Sequence, residues 1–237
     1  MIKTIVLFAC CGLLSSGLMA QSLIGAWEGF LTTDENENLR IVLIVSEKYQ
    51  SRAVFNADTG AFVSTNGGSW KLDGNTMTET LEFDSADPVN VGRESSFGIS
   101  WDDATFEIIG SEIQMKRIDD GTPGALQGAW LMSGRTVDGK TQLRDTDTPR
   151  KTMKILSGTR FQWIAYNTET KQFMATGGGT YTTIDGVYTE NLEFFSRDNT
   201  RVGLQLKFDY NLQDGNWHHS GLSSKGDPIN EVWSKRQ

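Results

Sequence analysis

Cysteine is almost missing from this chain: the only thiols among its 237 residues are Cys10 and Cys11, at the extreme N-terminus. Beyond them no disulfide or Cys-based zinc framework is available, so stability must come from packing. Histidine is equally scarce, with His218 and His219 alone and adjacent. Neighbours on a strand point to opposite faces and do not easily chelate one metal together, so no metal site is expected. A single histidine offers an axial ligand for haem, but no cofactor is expected. Basic residues are the minority, 22 against 30 acidic, and no Lys/Arg run offsets the net charge of −8. Such a surface repels phosphate backbones and anionic membranes, which argues against nucleic acid as a partner. A Gly-x-Ser-x-Gly elbow is missing, and the Gly177-Gly178-Gly179 run lacks the following Lys-Ser/Thr of a phosphate loop. No 3.6-residue apolar stripe is long enough for a major helix.

The one long apolar stretch lies at the start. Residues 1–20 combine Lys3, an apolar core and small residues ending at Ala20, the pattern of a cleaved secretory signal peptide. Its removal would take both cysteines with it and leave a secreted or periplasmic protein without stable membrane insertion. Lipid attachment at Cys10 is the less favoured alternative, because Phe8 suits a small-residue processing site poorly.

What the remainder holds is a repeat. Gly25-Ala26-Trp27 recurs as Gly128-Ala129-Trp130, and the 22 residues from Phe62 to Phe83 align without gaps to Phe173 to Phe194, with 9 identities. A period of about 105 residues is too long for a solenoid and suits one small domain. The chain therefore divides into a barrel over 21–118, a linker over 119–124 and a second barrel over 125–237. Asp119-Asp120-Gly121-Thr122-Pro123-Gly124 has the composition of a hinge. The second half carries an extra loop, roughly Thr136 to Pro149, either a lid or a plain surface insertion.

β-Branched runs such as Leu39 to Val45, and turn signals such as Asp73-Gly74-Asn75 and Asp214-Gly215-Asn216, give about eight short strands in each half. The expectation is all-β, with two tandem antiparallel barrels that close to remove their own edges. Strict alternation sets Met77, Glu79, Leu81 and Phe83 on one face, and Tyr188, Glu190, Leu192 and Phe194 on another.

The Leu23-x-Gly25-x-Trp27 and Leu126-x-Gly128-x-Trp130 motifs, each opening a meander, resemble the Gly-x-Trp signature of lipocalins and their calycin relatives. That resemblance implies a tryptophan closing one end of each barrel beneath an arginine from the last strand, here Arg117 and Arg236. These residues would be structural. The second half, through Phe161-Gln162-Trp163, Gly177 to Tyr181, Thr189 to Phe194, Trp217-His218 and Glu231-Val232-Trp233, is similar to short lipocalin-like domains of secreted bacterial proteins without assigned function. The first half lacks the Glu-x-Trp ending.

Glu79 and Glu190 are the sharpest anomaly, because a carboxylate on an apolar strand face is costly unless paired. Each is either a ligand anchor or a rim residue paired with an arginine. The favoured reading is a binding protein for a small apolar or amphiphilic molecule. Trp163, Tyr181, Glu190 and His218 would stand near the second cavity, Glu231 and Trp233 further out, and Trp70 and Glu79 in the first barrel. Two alternatives are an isomerase or hydratase using Glu190 and His218 as acid and base, and a filled structural or glycan-contacting module.

Overall fold

A computed structural model describes residues 22–122 and 124–237; the expected signal peptide and Pro123 lie outside the described residues. The first half is a closed antiparallel barrel of eight strands: β1 (Gly25–Thr32), β2 (Asn38–Val45), β3 (Tyr49–Asn56), β4 (Phe62–Asp73), β5 (Thr76–Asp84), β6 (Glu94–Trp101), β7 (Thr105–Ile108) and β8 (Gln114–Asp119). The second half opens with β9 (Gly128–Val137) and β10 (Lys140–Leu143). It continues through β11 (Arg150–Leu156), β12 (Arg160–Asn167), β13 (Gln172–Ile184), β14 (Val187–Phe195), β15 (Gln205–Gln213), β16 (Asn216–Leu222) and β17 (Pro228–Lys235). Pairing of β17 with β9 closes this second barrel from eight strands and leaves β10 outside it. The extra loop of the second half is thus a surface hairpin, turned at Asp138 and Gly139, with β10 fully exposed.

Each barrel has its own interior. Trp27, Leu43, Met77, Ile99 and Phe106 fill the first, and Trp130, Tyr188, Phe208, Trp217 and Trp233 the second. A third cluster lies between the barrels. Val42, Ile44, Ala53, Phe55 and Phe83 pack there against Ala129, Met153, Ile155, Ile164, Tyr166 and Phe194. These strands are buried on both faces, which is why β2 reads as a continuous apolar run rather than an alternating one.

Phe83 and Phe194 depart from the alternation. Gly68 pairs with Leu81 but Gly67 with Phe83, and Gly179 pairs with Leu192 but Gly178 with Phe194. The unmatched residues are Glu82 and Glu193, so each β5 or β14 strand carries a one-residue bulge. Met77, Glu79 and Leu81 stay on one face, whereas the bulge turns Phe83 out into the inter-barrel cluster. The twin glycines explain where it forms. A Cβ on Gly68 or Gly179 would stand 2.0 Å from the carbonyl oxygen of Thr80 or Asn191, so only glycine lets the strands approach.

The interface is close to two-fold. In the gap-free alignment Phe62 corresponds to Phe173, and these two rings stack on each other at 6.0 Å. A residue touching its own counterpart lies on the symmetry axis. Around it, Phe83 meets Tyr166 at 5.0 Å while Phe55, the counterpart of Tyr166, meets Phe194 at 4.9 Å. Gln162 Nε2 donates to Thr65 and to its counterpart Thr176. Each bulge glutamate also binds an arginine of the other barrel. Glu82 accepts from Arg236 at 2.6 and 2.8 Å, and Glu193 from Arg40 at 3.0 Å. The expected hinge is anchored at its start. Asp119 accepts hydrogen bonds from Ser157, Gly158 and Thr159 of the second barrel.

Candidate functional site

The two tryptophans of the Gly-x-Trp motifs are buried near one end of their barrels. Their indole N–H groups donate to Leu23 and Leu126 carbonyls, at 3.0 and 2.8 Å. Arg117 lies 3.9 Å from the Trp27 ring centroid and donates to the carbonyls of Ser22, Ile24 and Asp103, so it seals that end. Arg236 does not do the same for Trp130. It stacks over Tyr49 of the first barrel at 3.9 Å and is engaged by Glu82, and Lys235 takes the place over Trp130 at 6.0 Å. The inter-barrel ion pair outcompetes the stacking because it is bidentate and half sheltered from water.

The second barrel is filled, contrary to the expected cup. At its centre Lys154 projects inward and places Nζ 2.7 Å from Glu190, with side-chain exposures of 6 % and 5 %. The ammonium also lies 5.0 Å from the centroids of Tyr188 and Trp217, 5.3 Å from Trp233 and 5.8 Å from Phe208. These distances are within cation–π range, so one buried cation is held by a carboxylate and several rings. Glu190 is therefore an ion-paired structural residue rather than an open ligand anchor. The acid–base pair of Glu190 with His218 is not assembled either. The inward histidine is His219, packed against Tyr188, Phe208 and Trp217, while its neighbour His218 points to the opposite face. Burial and the charge of Lys154 hold His219 below its ordinary pKa, so it is neutral at pH 7. Glu231 lies 3.6 Å from His219 and accepts from the Trp233 indole. Burial opposes its ionisation, but the nearby His219 ring and the charge of Lys154 bring its pKa below the ordinary value. Tyr181 donates to the Ser157 carbonyl, and Trp163 packs edge-on against Phe195, so both are consumed in packing. Among the described residues no group of three or more His, Cys, Asp or Glu side chains is arranged to hold a metal.

The first barrel is the one with space. A cavity of about 190 Å³ lies inside it, bounded by apolar side chains including Met77, Phe97, Phe106 and Met115, and by polar Gln50, Asn66, Arg52 and Glu79. Strand register equates the cavity walls with the filled interior next door. Met77 pairs with Phe97 as Tyr188 pairs with Phe208, and Phe106 pairs with Met115 as Trp217 pairs with Trp233. Leu43 lies between Trp27 and Arg52 as Lys154 lies between Trp130 and Trp163. The first barrel thus has smaller side chains at three of these positions and no lysine, and the difference in volume is the cavity.

Residues 125–237 match the family described as Domain of unknown function (DUF4488). No curated protein matches the chain. The match covers the filled barrel, not the one that contains the cavity.

Within the cavity Glu79 is the distinctive group. Among the described residues no side chain forms an ion pair or hydrogen bond with it. Burial raises its pKa above the ordinary value, and the charge of Arg52 only partly offsets this. Arg52 is exposed and Ser111 is exposed, and they mark where the cavity meets solvent. Trp70, expected near a ligand, pairs with Glu79 across β4 and β5 but does not line the cavity: its indole donates to the Ser46 carbonyl at 2.9 Å, as its counterpart Tyr181 does to Ser157. The residues that sequence reasoning missed are Leu43, Phe97, Phe106 and Met115. They read as ordinary core, and only comparison with their bulkier counterparts in the other half marks them.

Proposed function

We propose that this chain is a lipocalin-like binding protein whose first barrel takes one small amphiphilic molecule, with the second barrel as a self-filled scaffold packed against it. The observation that carries this reading is the first barrel's cavity, which pairs an apolar wall with one half-buried carboxylate that no side chain among the described residues pairs. A dry cavity of about 150 Å³ holds benzene, whereas pockets for drug-sized ligands run from about 300 to 1,000 Å³. The ligand is accordingly of one-ring or short-chain size. Its apolar body would contact Met77, Phe97, Phe106 and Met115, and its polar group would meet Glu79 near Arg52 and Asn66. An exported location, expected from residues 1–20, suits the capture of such a molecule outside the cytoplasm. Among the described residues no helix is long and apolar enough to cross a membrane.

Copying the second barrel into the first tests this. Met115→Trp introduces the side chain found at the corresponding position, Trp233, and should fill the cavity. Amide NMR spectra titrated with benzyl alcohol should show shifts confined to the residues around Met77, Phe97 and Phe106, and Met115→Trp should abolish them. Shifts that persist unchanged in the variant would contradict the proposal.

A further inference from the structure

The two halves of the chain hold the same glutamate in the same place, and one half supplies a cation to it. In the second barrel that cation is Lys154, 2.7 Å from Glu190 and within 6 Å of four aromatic ring centroids. In the first barrel the lysine position is Leu43, and the glutamate remains as Glu79. Two of the four rings also remain, Phe97 for Phe208 and Phe106 for Trp217, while Met77 and Met115 replace Tyr188 and Trp233. The first cavity is therefore the second barrel's ammonium site with the ammonium and part of its cage removed.

We propose that the molecule bound by the first barrel is a small organic cation, a primary ammonium on a single ring or short alkyl body, held by Glu79 with Phe97 and Phe106 flanking it. This rests on the preceding reading that the cavity binds a ligand, and it names the ligand's chemical class. Three considerations select a cation. Hydrogen bonds between ions are roughly twice as strong as neutral ones, and a partner here relieves a desolvated carboxylate. An aromatic flank attracts positive charge through the ring quadrupole. An anionic head would have to enter beside Glu79, where like charges repel, although Arg52 lines the same cavity. Arg52 is exposed, so water screens its charge, and it stands where the second barrel has Trp163 rather than where it has Lys154.

The test uses three probes with one body and different heads: benzylamine, benzyl alcohol and benzoate, titrated into the full chain at pH 7 and followed by amide NMR. Benzylamine should bind the first barrel at least about tenfold more tightly than the alcohol, which corresponds to about 1.4 kcal/mol. Glu79→Gln should remove that preference while the alcohol still binds. Leu43→Lys should install an internal ammonium and eliminate benzylamine binding in a folded protein, an outcome independent of how Glu79→Gln behaves. Alcohol or benzoate binding as tightly as the amine would overturn the cation and leave the cavity reading intact. Failure of all three probes to shift first-barrel residues would overturn both.

Discussion

His219 is 2 % exposed, lies against the rings of Tyr188, Phe208 and Trp217, and has Lys154 nearby. Its folded-state pKa is lowered, first by burial and then by Lys154, so on acidification the unfolded chain takes up the proton before the folded one does. The stability associated with a neutral His219 is present above the unfolded value of about 6.5 and is lost as pH falls from there toward the folded value. His219→Phe keeps a ring in an aromatic site and removes the proton. Urea midpoints measured between pH 7.5 and 5 should fall less steeply for His219→Phe than for the parent. Equal slopes would show that His219 is not the group whose protonation opposes folding in that interval.

At the level of strands, the repeat, the number of elements and their antiparallel closure follow from turn signals and β-branched runs. Which face of a strand looks inward does not. In Thr152-Met153-Lys154-Ile155 an apolar-inside rule turns Lys154 outward. Met153 and Ile155 instead face the other barrel, and Lys154 faces the interior. Alternation separates two faces but cannot name the lumen when a neighbouring barrel buries the outside as well. The same blindness hid Glu190's partner, which sits on β11, and misassigned Phe83 and Phe194, since one inserted residue reverses the parity beyond it. The Gly67-Gly68 and Gly178-Gly179 pairs were the visible trace of those bulges. Gly179→Ala should therefore be costly although it adds one methyl group. Its Cβ would meet the Asn191 carbonyl oxygen at 2.0 Å, and overpacking of this kind costs typically about 1–3 kcal/mol. Denaturant unfolding checks this, and a variant within 0.3 kcal/mol of the parent, roughly the error of such comparisons, would mean that the bulge tolerates a side chain.

For the whole molecule, the near-two-fold interface makes the tandem chain resemble a symmetric dimer joined by a short connection. Each barrel has a complete interior, but each also leaves an apolar face that only the other covers. A fragment of residues 125–237 would expose Met153, Ile155, Ile164, Tyr166 and Phe194. We expect it to fold and to dimerise through that face, with a second copy of Phe173 stacking where Phe62 does in the full chain. Sedimentation should report a dimer at micromolar concentration. A stable, soluble monomer would show that the inter-barrel cluster is not needed to cover the second barrel.

Two glutamates share a position and differ in company, Glu79 in the barrel that has Leu43 and Glu190 beside Lys154. Glu79 has its folded-state pKa raised by partial burial, so the unfolded chain ionises first as pH rises, and at pH 7 the half-buried carboxylate costs stability. Glu79→Gln should thus match or exceed the parent. Glu190→Gln leaves Lys154 buried without its counter-ion, a change that costs about 3–5 kcal/mol. Urea unfolding of the two full-length variants at pH 7 is the most direct measurement. The predicted result is opposite behaviour, with Glu79→Gln unimpaired and Glu190→Gln strongly destabilised. Equal losses in both would contradict an unpaired carboxylate in an open first cavity and an internally satisfied one in the second.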